Sequence, residues 1–416
     1  IEFNDFFSSN EEIDSDIKKN FIGSCVINPL IVGAVGRTLI NPKYLNISEN
    51  PFYLRLSEFV IHVYGKKLKV RAFPYRMQDA ETTCCVEVTL LNIIEYYSNS
   101  FSDYKPALPS EIIDAEQSHS HERVLPAKGM SYPMLTKVLS EFGFSPRLYN
   151  LSSISKFAFS KVTPNDEIKR WLHYYIESGI PVALNLSSVG NYGSGHSVIC
   201  IGHGSMNKDL VAKAKMKKWI SWGTKNKCHP IINSADFYEE YVIVDDNEPV
   251  YKLRNFESLS AYSDLKISDM SVPLYKRMFL DAPDAYSIAV SLLHHEYYGV
   301  SNWIEDYLNE GEDIVTRFFM ASSHSFKRAR TESSYDIDAQ KIYATLPMPR
   351  FIWVCELYRI SDYASLNTFG EIVIDATSAY SRGARSVILM RYLDKVLIRS
   401  LDQKDIGFQM ITLESK

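Results

Sequence analysis

The sequence predicts an α+β protein of more than one domain. Two observations predict it: one long helical pattern precedes a set of strand-like runs, and 416 residues suffice for two or three separately cored domains. Hydrophobic residues at 46% and charged residues at 23% fit a folded globular chain and exclude a disordered one.

Residues 1–70 read as a β-rich N-terminal flank, with Phe59–Tyr64 as a strand ended by the turn cluster Gly65-Lys66-Lys67. Residues 71–255 mix helices and strands. Val86, Leu90, Ile93, Ile94 and Tyr97 recur at helical spacing and predict a helix over 85–97 with one buried face. Further helices fit 134–142, closed by Gly143, and 166–178, closed by Gly179. Strands fit 181–186, after Gly179, and 197–201 and 241–244, the last two rich in β-branched and aromatic residues. Residues 256–416 form a third zone, an α+β domain without a catalytic pattern. Helical stretches there fall near 285–295 and 303–308, and strands fit 350–357, 371–374, 386–392 and 395–398.

The formal net charge of −5 gives no global basic field, so nucleic acid and anionic membranes are disfavoured as partners. No stretch reaches the roughly 20 apolar residues of a membrane span. The start, Ile-Glu-Phe-Asn-Asp-Phe-Phe, has no signal-peptide pattern. Six cysteines without repeated CxxC spacing read as reduced thiols. A cytoplasmic location is the expectation.

The chemistry concentrates at Gln78-Asp79-Ala80-Glu81-Thr82-Thr83-Cys84-Cys85. A free thiol has a pKa of roughly 8.5, so a nucleophilic cysteine needs a neighbouring imidazolium, a helix N-terminus, or both. A helix beginning at Cys84 meets the second need, with Thr82 or Thr83 as N-cap. The backbone N–H of Cys84 and the side-chain amide of Gln78 then form an oxyanion site. The plainer reading makes Cys84 and Cys85 small buried hydrophobes at a helix start. Downstream, Gly195-His196 enters the apolar strand run Ser197–Ile201, and Tyr241–Val244 ends in Asp245-Asp246-Asn247. A carboxylate one strand over holds an imidazole in its tautomer and stabilises its charge.

Gln78 to Tyr97, Gly179–Ala183, Gly195-His196 and Tyr241–Asp246, in that order, resemble the papain-like cysteine peptidases. Within them the set looks most like the branch of the bacterial double-glycine leader peptidases. The resemblance covers roughly residues 75–250. It implies a papain-like domain, a helix carrying cysteine packed on an antiparallel sheet carrying His and Asp, that cleaves an amide or isopeptide bond in a protein or peptide. It makes Cys84 the nucleophile, His196 the acid and base, Gln78 the oxyanion donor, and Asp246 or Asp245 the orienting carboxylate. Alternation puts the two aspartates on opposite faces of a strand, so one of them reaches His196. Register with papain favours Asp246, and register with the leader peptidases favours Asp245. Relatives often carry glycine after the nucleophile where this chain has Cys85; a helical step of about 100° turns Cys85 from any cleft that Cys84 faces. A transglutaminase-like acyltransferase on the same triad and a catalytically silent binding module are the alternatives.

Other motifs carry less. Residues 206–236 hold Lys208, Lys213, Lys215, Lys217, Lys218, Lys225 and Lys227 with Trp219 and Trp222, which reads as an amphipathic helix with a solvated lysine face and a packed tryptophan face in preference to a substrate lid or a patch for an acidic partner. His119, His121, His294 and His295 lack metal-ligand spacing, and no metal or organic cofactor is implied. Lys327-Arg328-Ala329-Arg330 reads as a basic surface stretch too short to argue for nucleic acid.

Overall fold

The computed structural model describes residues 11–29, 33–79, 83–121, 124–125, 129–154, 163–188, 191–214, 231–262, 264–293, 304, 307–308, 312–332, 337–381, 383–400 and 407–413. They form a mixed α+β protein whose sheets are almost entirely antiparallel.

The chain folds into two compact units interleaved in sequence: 1–152 with 180–205 and 240–274, and 153–179 with 206–239 and 275–416. Borders expected near 70 and 255 do not separate these units. The reason is strand pairing: Leu265–Val272, beyond 255, hydrogen-bonds to Val182–Ser188 inside the first unit's main sheet.

That sheet runs Lys252–Asn255, Glu240–Val244, Asn191–Gly204, Val182–Ser188, Leu265–Val272, Arg147–Asn150. Its central strands carry apolar residues into the core; Val182, Ala183, Leu184, Val242 and Ile243 are fully buried. The helix Cys85–Ser100 packs against the Asn191–Gly204 strand, with Leu90, Ile93 and Tyr97 inside. The helix Tyr132–Glu141 packs beside it, capped by the Ser131 hydroxyl, and Gly143 follows at φ +91°, where a side chain is strained.

The flank contains the hairpin Ser57–Val63 with Lys66–Ala72, joined by Tyr64 and Gly65, both at positive φ. That is the two-residue turn whose twist matches the strands. A short strand, Phe52–Leu54, pairs with the end of Asn191–Gly204 at Gly202, where an added Cβ would lie 2.0 Å from the Tyr53 carbonyl oxygen. Gly202→Ala is therefore expected to cost about 1–3 kcal/mol through overpacking. The check is a lower urea midpoint at unchanged slope.

The second unit is built on Phe408–Thr412, Lys395–Arg399, Val387–Tyr392, Gly370–Asp375, Phe351–Arg359, Ile314–Ser322 and Ile231–Asn233, the last pair parallel. The expected strands of the last third all lie in this sheet. The helices Pro164–Glu177 and Ala282–Leu293 belong to this unit, as does Ser323–Thr331. The stretch 327–330 is not wholly a surface feature: Arg330 turns inward from that last helix and bonds Glu371 and Glu356. Within 206–236, Lys208 and Lys213 lie in the helix Lys208–Ala214. Lys215, Lys217, Lys218, Lys225, Lys227, Trp219 and Trp222 fall outside the described residues, as do His294 and His295. Among the described residues no helix is long and apolar enough to cross a membrane, and the five described cysteines are free thiols.

Candidate active site

The first unit brings together the residues singled out in the sequence. Helix Cys85–Ser100 begins one residue later than the cysteine expected to open it. Cys84 is the N-cap, in extended conformation at φ −104° and ψ −174°, and its N–H donates to Glu87 Oε2 at 3.0 Å. Glu87, three residues on and 2% exposed, closes the helix end in place of Thr83; Thr82 lies outside the described residues. The N–H expected to serve an oxyanion is thus already committed to a carboxylate.

Cys85 is the first helical residue. Residues four apart share a helix face, and Thr89 on that face hydrogen-bonds Ser197, the neighbour of His196, at 3.0 Å. Tyr132 OH meets the same Ser197 hydroxyl at 2.8 Å. This clamp aligns the helix on the histidine strand and aims Cys85, not Cys84, at the imidazole: a hydrogen bond with Cys85 is among the interactions that hold His196 charged. Cys84, extended at the N-cap, lies outside the helical step that was expected to separate the two cysteines.

Both thiols differ in setting. Burial pushes the Cys84 thiol up to about 11, and the charges of Glu87 and Cys85 add to it, against a single backbone hydrogen bond from Gly129. A thiol so placed is a poor nucleophile at neutral pH.

His196 Nε2 lies 2.8 Å from Asp245 Oδ1 and 3.7 Å from Asp246 Oδ1. The open choice between the aspartates falls to Asp245. Both reach the imidazole because the strand ends at Val244, so the alternation that would have sent them to opposite faces no longer applies. Asp245 Oδ1 also accepts the Asn247 N–H at 2.9 Å, which fixes the carboxylate. Burial opposes the imidazolium. The hydrogen bonds of Asp245 and Cys85 and the charges of both aspartates overcome it and raise His196 from 6.5 to about 10. Burial, with the Asp245 charge beside it, lifts Asp246 from 3.8 to about 7 in spite of His196. The Tyr262 ring stands edge-on to the imidazole, centroids 5.7 Å apart.

Gln78 reaches the same corner: its Nε2 donates to Asn247 Oδ1 at 3.1 Å. Asn247, Tyr262, Glu87 and the Thr89–Ser197–Tyr132 clamp were not anticipated. Of these only Glu87 carried a legible signal, its three-residue spacing from Cys84. His119, once considered as a ligand, pairs with Glu141 at 2.6 Å. Among the described residues, His196, Asp245 and Asp246 are the group whose donor atoms, one nitrogen and two oxygens, lie within 4.8 Å of one another as a metal site requires.

The chain matches no protein-family model and no curated protein sequence.

Proposed function

We propose that this chain is a papain-like cysteine hydrolase acting on an amide or isopeptide bond of a protein or peptide, with Cys85 as nucleophile, His196 as acid and base, and Asp245 as orienting carboxylate. The observation that carries this reading is the bond of His196 to Asp245 at 2.8 Å, on a strand against which the helix opened by Cys85 packs, with Cys85 among the groups that raise His196.

With Nε2 held by Asp245, Nδ1 is the ring nitrogen left for sulfur. A charged imidazolium beside a sulfur favours the thiolate. The Cys85 sulfur attacks the carbonyl carbon, and the carbonyl electron pair moves to oxygen. Collapse of the tetrahedral adduct expels the amine, which takes a proton from His196. Water then attacks the thioester while neutral His196 accepts its proton, and the acid leaves with Cys85 restored. The oxyanion has two donors at hand: the Cys85 N–H, which has no intrahelical partner at the first position of a helix, and the Gln78 amide, once the substrate oxygen displaces Asn247.

The test compares the adjacent thiols. Iodoacetamide at pH 7, mapped by peptide mass spectrometry on the full chain, is expected to label Cys85 ahead of Cys84 and to do so unchanged in Cys84→Ala. Preferential labelling of Cys84 that persists in Cys85→Ala would sink the assignment.

A further inference from the structure

We propose that His196, Asp245 and Asp246 bind a divalent cation of the Zn2+ class, and that the bound cation switches the thiol site off. The switch rests on the hydrolase reading; the cation site does not.

The donors are gathered already. His196 Nε2 stands 2.8 Å from Asp245 Oδ1 and 3.7 Å from Asp246 Oδ1. Ligand atoms held about 2.0–2.2 Å from a shared zinc ion are spaced on this scale. Exposure is 6% for His196, 1% for Asp245 and 4% for Asp246.

A second observation points to a ligand. Neither carboxylate oxygen of Asp246 meets a well-aligned hydrogen-bond donor, nor does Oδ2 of Asp245, although both groups are buried. Buried carboxylate oxygens without donors are costly. The polar groups facing Asp246 include His196, Asp245, its own backbone N–H and the buried Tyr75. The two carboxyl groups crowd one another beside a single imidazole. A dication relieves this and supplies the partner that the three oxygens lack.

Chemistry narrows the ion. A mixed imidazole and carboxylate set suits Zn2+ better than Ca2+ or Mg2+, which favour all-oxygen shells. Three protein ligands leave a fourth position for water. The bond from the Asn247 N–H to Asp245 Oδ1 already orients one of the ligands. On binding, the Nε2 proton goes to solvent and the ring nitrogen's electron pair goes to the metal. The Nε2–H···Asp245 bond is exchanged for bonds from both residues to the cation. An imidazole so ligated no longer forms the imidazolium that supports the neighbouring sulfur.

The experiment titrates Zn2+ into the full chain by calorimetry, with Co2+ as a visible-absorption probe. One ion per chain is expected. Asp246→Asn should weaken binding at least about tenfold, with circular dichroism and metal-free thermal unfolding checking that it folds. The double variant Cys84→Ser/Cys85→Ser should keep wild-type affinity. Zn2+ should also slow iodoacetamide labelling of Cys85 in the wild type and not in Asp246→Asn. Absence of binding, or binding lost with the two cysteines and indifferent to Asp246→Asn, overturns the site. Binding that leaves Cys85 labelling unchanged overturns the switch alone. Neither outcome alters the test of the nucleophile, which is run in chelator.

Discussion

Replacing His196 by alanine is expected to slow acylation of Cys85 by an activated ester, followed as p-nitrophenolate release from p-nitrophenyl acetate, by about 10²–10⁴-fold. The imidazole is the group that hydrogen-bonds the sulfur. Asp245→Asn is expected to fall short of that loss but to exceed Asp246→Asn, because Asp245 bonds Nε2 at 2.8 Å whereas Asp246 stands off at 3.7 Å. An equal response of the two aspartates would remove Asp245 from the orienting role.

The same cluster predicts how stability changes with pH. His196 is raised on folding from 6.5 to about 10, so its contribution is full below about pH 6.5 and is lost as pH rises towards 10. Asp246 is raised from 3.8 to about 7, so the folded state again holds a proton that the unfolded chain has released, this time between about pH 4 and 7. In both windows the native state binds more protons, and stability falls as pH rises. Thermal midpoints of wild type and His196→Ala should therefore converge between pH 6.5 and 10. Parallel curves over that range would contradict the charge placed on His196.

Much of the site is legible in the sequence because each part has a local cause. The apolar residues at Leu90, Ile93 and Tyr97 mark the helix face, and the β-branched runs after His196 and before Asp245 mark the strands. What was not legible depends on single residues at element ends. Whether a helix begins at residue 84 or 85 decides which cysteine faces the sheet. Glu87 settles it by bonding the Cys84 N–H, and a one-residue boundary lies below what periodicity resolves. The end of a strand at Val244 likewise undoes an alternation argument that assumed it continued. The interleaving of the two units had no local signal. It follows from long-range pairings such as Leu265–Val272 with Val182–Ser188 and Ile231–Asn233 with Ile314–Thr316.

In the second unit, Glu371→Ala is expected to destabilise by about 3–5 kcal/mol, the cost of removing one partner from a buried charge network. Glu371 is fully buried in the strand Gly370–Asp375. Its Oε2 accepts Arg330 Nε at 2.9 Å, its Oε1 accepts the Tyr343 hydroxyl, and Arg391 Nε stands 3.6 Å from Oε1. Arg330 reaches on to Glu356 Oε1 at 2.7 Å, and Glu356 Oε2 takes Tyr358 OH at 2.5 Å and Arg317 Nη1 at 3.3 Å. Burial alone would raise the Glu371 carboxyl; Arg330 and Arg391 outweigh it and hold it below its ordinary value. The contribution is therefore present above the unfolded value of 4.5 and is lost as pH falls through the lowered folded value. Truncation leaves the buried Arg391 without its anion and Arg330 with Glu356 alone, which an apolar replacement of the whole network would not. Two measurements separate these cases: Glu371→Ala should lower the denaturant midpoint of this unit steeply, and Glu371→Met combined with Arg330→Met should recover a large part of the loss. A double variant less stable than Glu371→Ala would show that the network, not the stranded charge, sets the stability of the sheet.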